Sequence, residues 1–166
     1  MKPRAWRMRG AGLAGLALAA AVVAARAVGA GPWTAGAGKL AVDPDVTDVV
    51  VSVDGNAVIR LVRTKGELGI ADLKVEGAAG DPVSVRRDGG TLTVALDGKR
   101  NFLGLKIRTL SADFTLLVPE GKAVRLSAGK LALSGEASAR TLRVAAGSLT
   151  ASGLSLDLER GLDIAA

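Results

Sequence analysis

The feature that most limits how this chain can fold is a short repeat near its C-terminal end. The segment VRLSAGKLALSG (124–135) aligns with LRVAAGSLTASG (142–153) at an offset of 18 residues. Both copies read apolar, Arg, apolar, small, Ala, Gly, polar, Leu, two variable residues, Ser, Gly. Each copy predicts two short β-strands joined at a glycine corner, because apolar alternation indicates strands and glycine tolerates tight turns.

A third, degenerate copy is predicted to begin at Leu156, with Gly161 in the place of Gly129 and Gly147. Repeats of about 20 residues with glycine corners suit a β-solenoid, because each rung stacks its inward residues on the next. Hairpins of an ordinary antiparallel sandwich fit two such copies as well, and that alternative stays open. The solenoid interpretation makes five glycines structural turn residues: Gly121, Gly129, Gly135, Gly147 and Gly153.

The chain upstream of the repeat predicts further short strands. Residues 49–53 and 57–63 flank Asp-Gly-Asn (54–56), and residues 83–87 and 91–96 flank Asp-Gly-Gly. Period-two strands around such turns indicate β-hairpins. The sequence therefore predicts two hairpins before the repeat.

Three more alternating segments complete the pattern. Residues 68–76 alternate with a break or bulge at Ala71-Asp72, and residues 102–109 alternate without interruption. Residues 112–118 form a strand that ends at Pro-Glu-Gly (119–121). No segment after residue 40 has a helical apolar stripe, so this part is predicted to be all-β.

The first 30 residues have the features of an export signal. A basic segment, MKPRAWRMRG, precedes an apolar, Ala-rich run over residues 11–25, and small residues up to Ala30 offer a cleavage site, with a second after Ala37. An uncleaved membrane anchor helix is the alternative, although a span needs about 20 apolar residues and Arg26 interrupts the run. Both interpretations export the rest of the chain, to the periplasm, cell surface or medium. Residues 31–45 are predicted to be a linker and 46–166 the folded domain.

The positive charge is concentrated in that N-terminal segment. The formal net charge is +6, and five of the 22 Lys and Arg residues lie within residues 1–30, where there is no Asp or Glu. A nucleic-acid-binding protein needs a concentrated basic surface, usually with stacking aromatic residues. Residues 31–166 contain only Trp33, Phe102 and Phe114 as aromatics. The composition therefore predicts no nucleic-acid partner, and membrane contact only through the N-terminal segment.

The residue types present give little support to catalysis. The chain has no Cys, His or Tyr, which removes disulfides, thiol chemistry, the commonest general base and the commonest metal ligand. No nucleophile motif, phosphate-binding loop or metal-ligand spacing is present. We therefore predict no enzyme, and no catalytic, cofactor-binding or metal-binding residues. A polysaccharide-active β-helix enzyme stays as an alternative, because two of the 16 acidic residues could converge in space.

Local charge clusters have both a functional and a structural interpretation. Asp43, Asp45 and Asp48 offer oxygen ligands for weak calcium binding, but an acidic loop before the first strand is the favoured interpretation. A basic patch fits anionic lipid head groups or cell-wall polymers, and is more typical of a solvated strand face: Lys99, Arg100, Asn101, Lys106 and Arg108.

The repeat also predicts an outward ladder of charges. Arg125 and Arg143 occupy equivalent positions in the two copies, and Glu136 and Asp157 are predicted to neutralise them in part. Stacked apolar residues are predicted to stabilise the interior beneath this ladder: Leu126, Leu131, Leu133, Val144 and Leu149.

These motifs resemble a bacterial adhesin family, whose members are related to auto-transporter adhesin heads and envelope-stress proteins. The resemblance rests on the VP-x-G turn at LVPEG (117–121), on both repeat copies, and on VSVRRDGGTLTV (83–94), and it covers residues 46–166. It implies a short, single-stranded, right-handed β-solenoid or β-roll that is exported and attached to the envelope. Members of the family commonly have more rungs and SGD turns, where this chain has Ala-Gly-Lys and Ala-Gly-Ser.

The sequence predicts a non-catalytic, exported structural or interaction module of the cell envelope. Its expected partners are envelope proteins or cell-surface polymers, and self-association through the open end of the solenoid, because an unpaired strand edge invites pairing. The alternative is a membrane-anchored accessory or regulatory protein of an envelope-stress system. No cofactor is expected in either case.

Overall fold

The computed structural model describes residues 37–77, 82–97 and 109–166, with side chains from residue 42 onward. The described residues contain strands and no helix, as the sequence predicts. The strands form one mixed sheet: β1 (Ala37–Ala41), β2 (Asp48–Thr64), β3 (Glu67–Glu76), β4 (Val83–Asp88), β5 (Thr91–Leu96), β6 (Leu110–Pro119), β7 (Ala123–Ala139), β8 (Thr141–Leu158) and β9 (Leu162–Ala165).

Strand β2 is the centre of the sheet. On one edge its first half pairs in parallel with β5 and its second half with β6, while its other edge pairs in parallel with β7. The neighbour changes between Val53 and Gly55, where a Cβ on Gly55 would clash with the backbone carbonyl of Leu110. The hairpin predicted at residues 54–56 is therefore wrong, because β2 continues through this segment as one strand.

Strands β7, β8 and β9 extend the sheet in parallel on the other side of β2. The pairing of β7 with β8 follows the repeat, with Val124 beside Leu142 and Leu126 beside Val144. The same positions continue into the neighbouring strands and form two apolar columns: Val49, Val124, Leu142 and Leu162, and Val51, Leu126, Val144 and Ile164. The 18-residue offset is thus the register of two neighbouring parallel strands.

The remaining strands are antiparallel additions. Strands β4 and β5 form the hairpin predicted over residues 83–96. Strand β3 pairs with β6, and its register shifts between Ala71 and Lys74, which confirms the break predicted at Ala71-Asp72. Strand β1 pairs with β3 along residues 37–41. That strand lies within residues 31–45, so residues 37–41 of the segment predicted as a linker belong to the sheet.

The apolar core is continuous along the parallel strands. Alternate residues of β2 are buried, and Val49, Val51 and Ile59 among them are at most 1% exposed. Phe114 of β6 packs with them. Burial decreases toward β8 and β9, where Leu162 and Ile164 are 47% and 49% exposed. No polar or charged side chain is buried among the described residues. The polar and charged side chains of the described residues therefore all have some solvent exposure.

Candidate functional site

The five predicted turn glycines fall into two structural groups. Gly121, Gly135 and Gly153 have φ angles of +69°, +94° and +57°, in the left-handed region that favours glycine. Gly129 and Gly147 lie inside β7 and β8, where a Cβ would be 3.0 Å from the carbonyl oxygen of the glycine in the preceding strand. For Gly129 the neighbouring glycine is Gly55 of β2, and for Gly147 it is Gly129 of β7.

The third repeat copy begins later than predicted. Leu162 pairs with Leu142, so the third copy begins at Leu162, while Leu156 belongs to β8 and pairs with Ala137. Gly161 lies between β8 and β9 with φ +123° and does not stack on Gly147. The start of the third copy was predicted too early because Leu-Asp-Leu (156–158) and Leu-Asp-Ile (162–164) have the same apolar alternation.

The predicted arginine ladder is present, but its acidic partners are not the predicted ones. Arg125 and Arg143 are paired across β7 and β8, and both side chains are more than half exposed. Arg125 lies 3.3 Å from an Asp48 carboxylate oxygen, and Arg143 lies 3.6 Å from one of Asp163. The predicted neutralisation by Glu136 and Asp157 is wrong, because those acids lie near Arg63 instead.

Arg63 lies near three acidic residues from different parts of the sheet. Its Nε donates a hydrogen bond to Glu120 over 2.5 Å, and its Nη1 lies 3.9 Å from Asp157. The hydrogen bond to Glu120 raises the pKa of Arg63 most, followed by the charge of Glu120 and then those of Asp157 and Glu136. The cluster links β2 to the β6–β7 turn and to β8.

Two arginines pair with the acidic cluster at the start of β2. Arg87 donates a hydrogen bond to Asp43 over 2.7 Å and a second one to Asp45. Asp48 accepts hydrogen bonds from Thr47 over 2.8 Å and from Arg125 over 3.3 Å. Among the described residues, no group of three or more His, Cys, Asp or Glu side chains could hold a metal ion. This arrangement joins the β4–β5 hairpin to the start of β2.

A groove beside the β3 bulge is the best candidate for a binding site. It crosses four neighbouring strands, β3, β6, β2 and β7, and has a volume of about 490 Å³. The bulge places Asp72 at φ +55°, which makes it the single non-glycine residue with a positive φ among the described residues. Backbone outliers and bulges of this kind are enriched at functional sites. The groove is lined by Val58, Arg60, Asp72, Leu73, Lys74, Asp113, Phe114, Thr115 and Ser134.

The strand register brings the polar residues of the groove together. Lys74 is directly opposite Asp113, which is opposite Val58 on the next strand. One row further along, Thr115 is opposite Arg60, which is opposite Ser134. The sequence signalled the bulge but not the groove, because the groove depends on the parallel pairing of β2 with β6 and β7.

The charged side chains of the groove are available to a ligand. The Thr115 hydroxyl donates a weak hydrogen bond to Asp72 over 3.5 Å. Within the described parts of the chain, Arg60, Lys74 and Asp113 form no ion pair within 4.0 Å and no side-chain hydrogen bond. Two cations, two carboxylates and two hydroxyl groups therefore line an open surface in which donors and acceptors alternate.

Other predicted sites lie outside the described residues. These are the export signal or anchor over residues 1–30, the basic patch over residues 99–108, and both Trp33 and Phe102. Across the residues that the structure describes, no helix has the length and apolarity that crossing a membrane requires. No protein-family model matches the chain, and no curated protein is significantly similar to it.

Proposed function

We propose that this chain is a non-catalytic, exported interaction module of the cell envelope, built as a short β-solenoid. The observation that carries the proposal is the in-register parallel pairing of β2, β7, β8 and β9. Repeated residues that stack on their own equivalents are typical of solenoids, whose long, flat faces suit the binding of extended partners. The resemblance to an adhesin family is part of this proposal.

The two ends of the strand stack support an interaction role in different ways. At one end, the outer edges of β5 and β6 are covered by β4 and β3. At the other end, β9 pairs only along Leu142–Ala145, and Leu162 and Ile164 are about half exposed. An exposed apolar strand edge favours pairing with another chain. We therefore keep self-association through this end as part of the proposal.

Export is supported by the N-terminal residues and by the distribution of charge. The basic segment and apolar run of residues 1–30 fit a secretion signal, and residues 31–166 carry 17 Lys and Arg against 16 Asp and Glu. A near-neutral domain behind a basic leader is consistent with a protein that acts outside the cytoplasm.

The test of export is the N-terminus and intact mass of the native protein, taken separately from membrane and soluble envelope fractions. A chain that begins at Gly31 or Gly38 in the soluble envelope fraction is the expected result. A retained Met1 in the membrane fraction would favour the anchored accessory protein instead. Recovery in the cytosol alone would overturn the proposal.

The test of the solenoid uses the absence of cysteine in the natural chain. Arg125→Cys with Arg143→Cys places two thiols on directly paired residues of neighbouring parallel strands. We expect rapid oxidation to a disulfide, because paired residues lie within the Cα range of about 4.4–6.8 Å that a disulfide needs. The control is Lys130→Cys with Arg143→Cys, whose positions are not paired. An antiparallel sandwich predicts no preference for the first pair.

A further inference from the structure

We infer that the groove beside the β3 bulge binds a neutral, hydroxyl-rich oligosaccharide. The inference rests on the proposed function, because it identifies the class of polymer that the interaction module would recognise. It concerns one face of the sheet, formed by β3, β6, β2 and β7, and does not involve the open edge at β9.

The charge balance of the groove selects a neutral ligand. Arg60 and Lys74 contribute two positive charges, and Asp72 and Asp113 contribute two negative charges. A site with no net charge has no long-range attraction for a polyanion or a polycation. The arrangement instead offers strong local hydrogen-bonding groups, because bonds that involve an ionised partner are stronger than bonds between neutral groups.

The alternation of donors and acceptors fits neighbouring hydroxyl groups. A hydroxyl both donates and accepts, so one hydroxyl can donate to Asp113 while the next accepts from Lys74, its cross-strand neighbour. On the adjacent row, Thr115, Arg60 and Ser134 repeat this mixture of donors and acceptors. A ligand that carries hydroxyls along its length can use both rows.

The apolar part of the groove fits the carbon face of a sugar ring. Val58 is 49% exposed and lies opposite Asp113, in the same row as Lys74 and next to the row that contains Arg60. A large exposed apolar side chain within a ring of polar groups is typical of a binding surface. The groove is open, so a chain-like ligand is able to pass through it.

The bulge is what opens the groove. The pairing of β3 with β6 skips Asp72 and Leu73, and the pairing of β3 with β1 ends at Ala71. Asp72 and Leu73 therefore have no cross-strand partner in the described part of the chain. The left-handed backbone of Asp72 brings its carboxylate to within 3.5 Å of the Thr115 hydroxyl, at the groove wall.

The experiment is titration of the isotope-labelled full-length chain with maltohexaose, cellohexaose and chitohexaose, followed by amide chemical shifts. We expect at least one probe to shift resonances of β3, β6 and β2 around the groove. Asp113→Asn and Arg60→Gln should each weaken that binding about tenfold, as expected for loss of a hydrogen bond to a charged group. Arg143→Gln and Asp163→Asn, which remove an ion pair between β8 and β9 outside the groove lining, are the matched controls and should leave the affinity unchanged.

Three results would overturn the inference. The first is that none of the three neutral probes binds, and the second is that both groove variants bind as well as the natural chain. The third is that polygalacturonate or polylysine binds more tightly and in a salt-dependent way, which would show charge attraction in place of hydroxyl recognition. None of them affects the tests of export or of strand register, so this inference and the proposed function fail separately.

Discussion

Gly147 lies directly above Gly129, and a Cβ added to Gly147 would be 3.0 Å from the Gly129 carbonyl oxygen. Gly129 has the same relationship to Gly55 in the strand below. The three glycines form a column through β2, β7 and β8. A Cβ on Gly129 or Gly147 would be closer to the neighbouring carbonyl oxygen than Cβ atoms usually are. This column is the structural reason for the invariant Gly in the two repeat copies.

Replacing a glycine of this column should destabilise the fold more than replacing its neighbours. We expect Gly129→Val to cost more than Gly147→Val, because Gly129 has strands on both sides while β9 does not reach Gly147. Steric overpacking of this kind typically costs about 1–3 kcal/mol. Urea denaturation measures it, with Lys130→Val and Ser148→Val as exposed controls. Equal midpoints for the glycine and control variants would contradict the close approach.

Gly135 and Gly153 offer a second, independent comparison. Both have positive φ, but a Cβ on Gly135 would clash with the backbone carbonyl of Leu61, whereas nothing lies within 4 Å of that position at Gly153. Gly153→Ala should therefore cost about 1 kcal/mol from backbone strain alone, and Gly135→Ala clearly more. Thermal melts of the two variants show which substitution is more destabilising. A Gly135→Ala variant that melts at a higher temperature than Gly153→Ala would show that β2 does not lie against Gly135.

Local patterns predicted the strands well and their pairing only in part. The hairpin of β4 and β5 and the bulge at Ala71-Asp72 are encoded by residues close in sequence, and both were predictable. The segment at residues 54–56 has the composition of a turn, yet Gly55 is needed there for the close approach of Leu110, which lies far away in sequence. A one-dimensional pattern does not distinguish these two reasons for a glycine.

The groove could not be predicted for the same reason. Lys74, Asp113 and Arg60 come from three strands that are separated along the chain, and only the register places them side by side. The arginine ladder was predictable because its two members are repeats of one position. Its acidic partners, Asp48 and Asp163, belong to strands outside the two clear copies.

Leu133 tests how far the strand stack is cooperative. It is 2% exposed, and a neighbouring exposed position, Thr150, lies on β8. Leu133→Ala should cost about 2–5 kcal/mol through loss of apolar contacts and a cavity, and Leu133→Asp should unfold β7, β8 and β9. Hydrogen exchange of these strands is the measurement, and Thr150→Asp is the control. A Leu133→Asp variant with an unshifted melt would be incompatible with the stacked arrangement.

Calcium should not stabilise the protein, even though three aspartates lie close together in sequence. Asp43 and Asp45 are bound by Arg87, and Asp48 by Thr47 and Arg125, so a cation would have to displace two guanidinium groups. We expect the same melting temperature in millimolar calcium and in chelator. Arg87→Gln frees two carboxylates and should introduce a calcium-dependent increase, which the natural chain lacks. An increase of equal size in the natural chain would show that the arginines do not occupy the site.

The Arg63 cluster should make no pH-dependent contribution to stability near neutrality. The pKa of Arg63 is raised by Glu120 in the folded state, and a raised pKa of a basic group stabilises the fold at every pH below its unfolded value. That contribution is lost only as the pH rises through the folded pKa, far above neutrality. Because the chain also lacks His and Cys, unfolding free energy should be flat from roughly pH 6 to pH 9, apart from the N-terminal amine.

Arg63→Met separates this contribution from the rest of the chain. The variant should melt at a slightly lower temperature than the natural chain. The difference should be the same at about pH 6 and at about pH 9, because Arg63 stays protonated throughout that range. Added salt should reduce the difference between variant and natural chain, since the side chain is about half exposed and its ion pairs are screened. Arg60→Met, in which the arginine lost has no ion pair among the described residues, is the matched control on the same strand. A difference that changes with pH across this interval would contradict the assignment of this contribution to the ion pairs of Arg63.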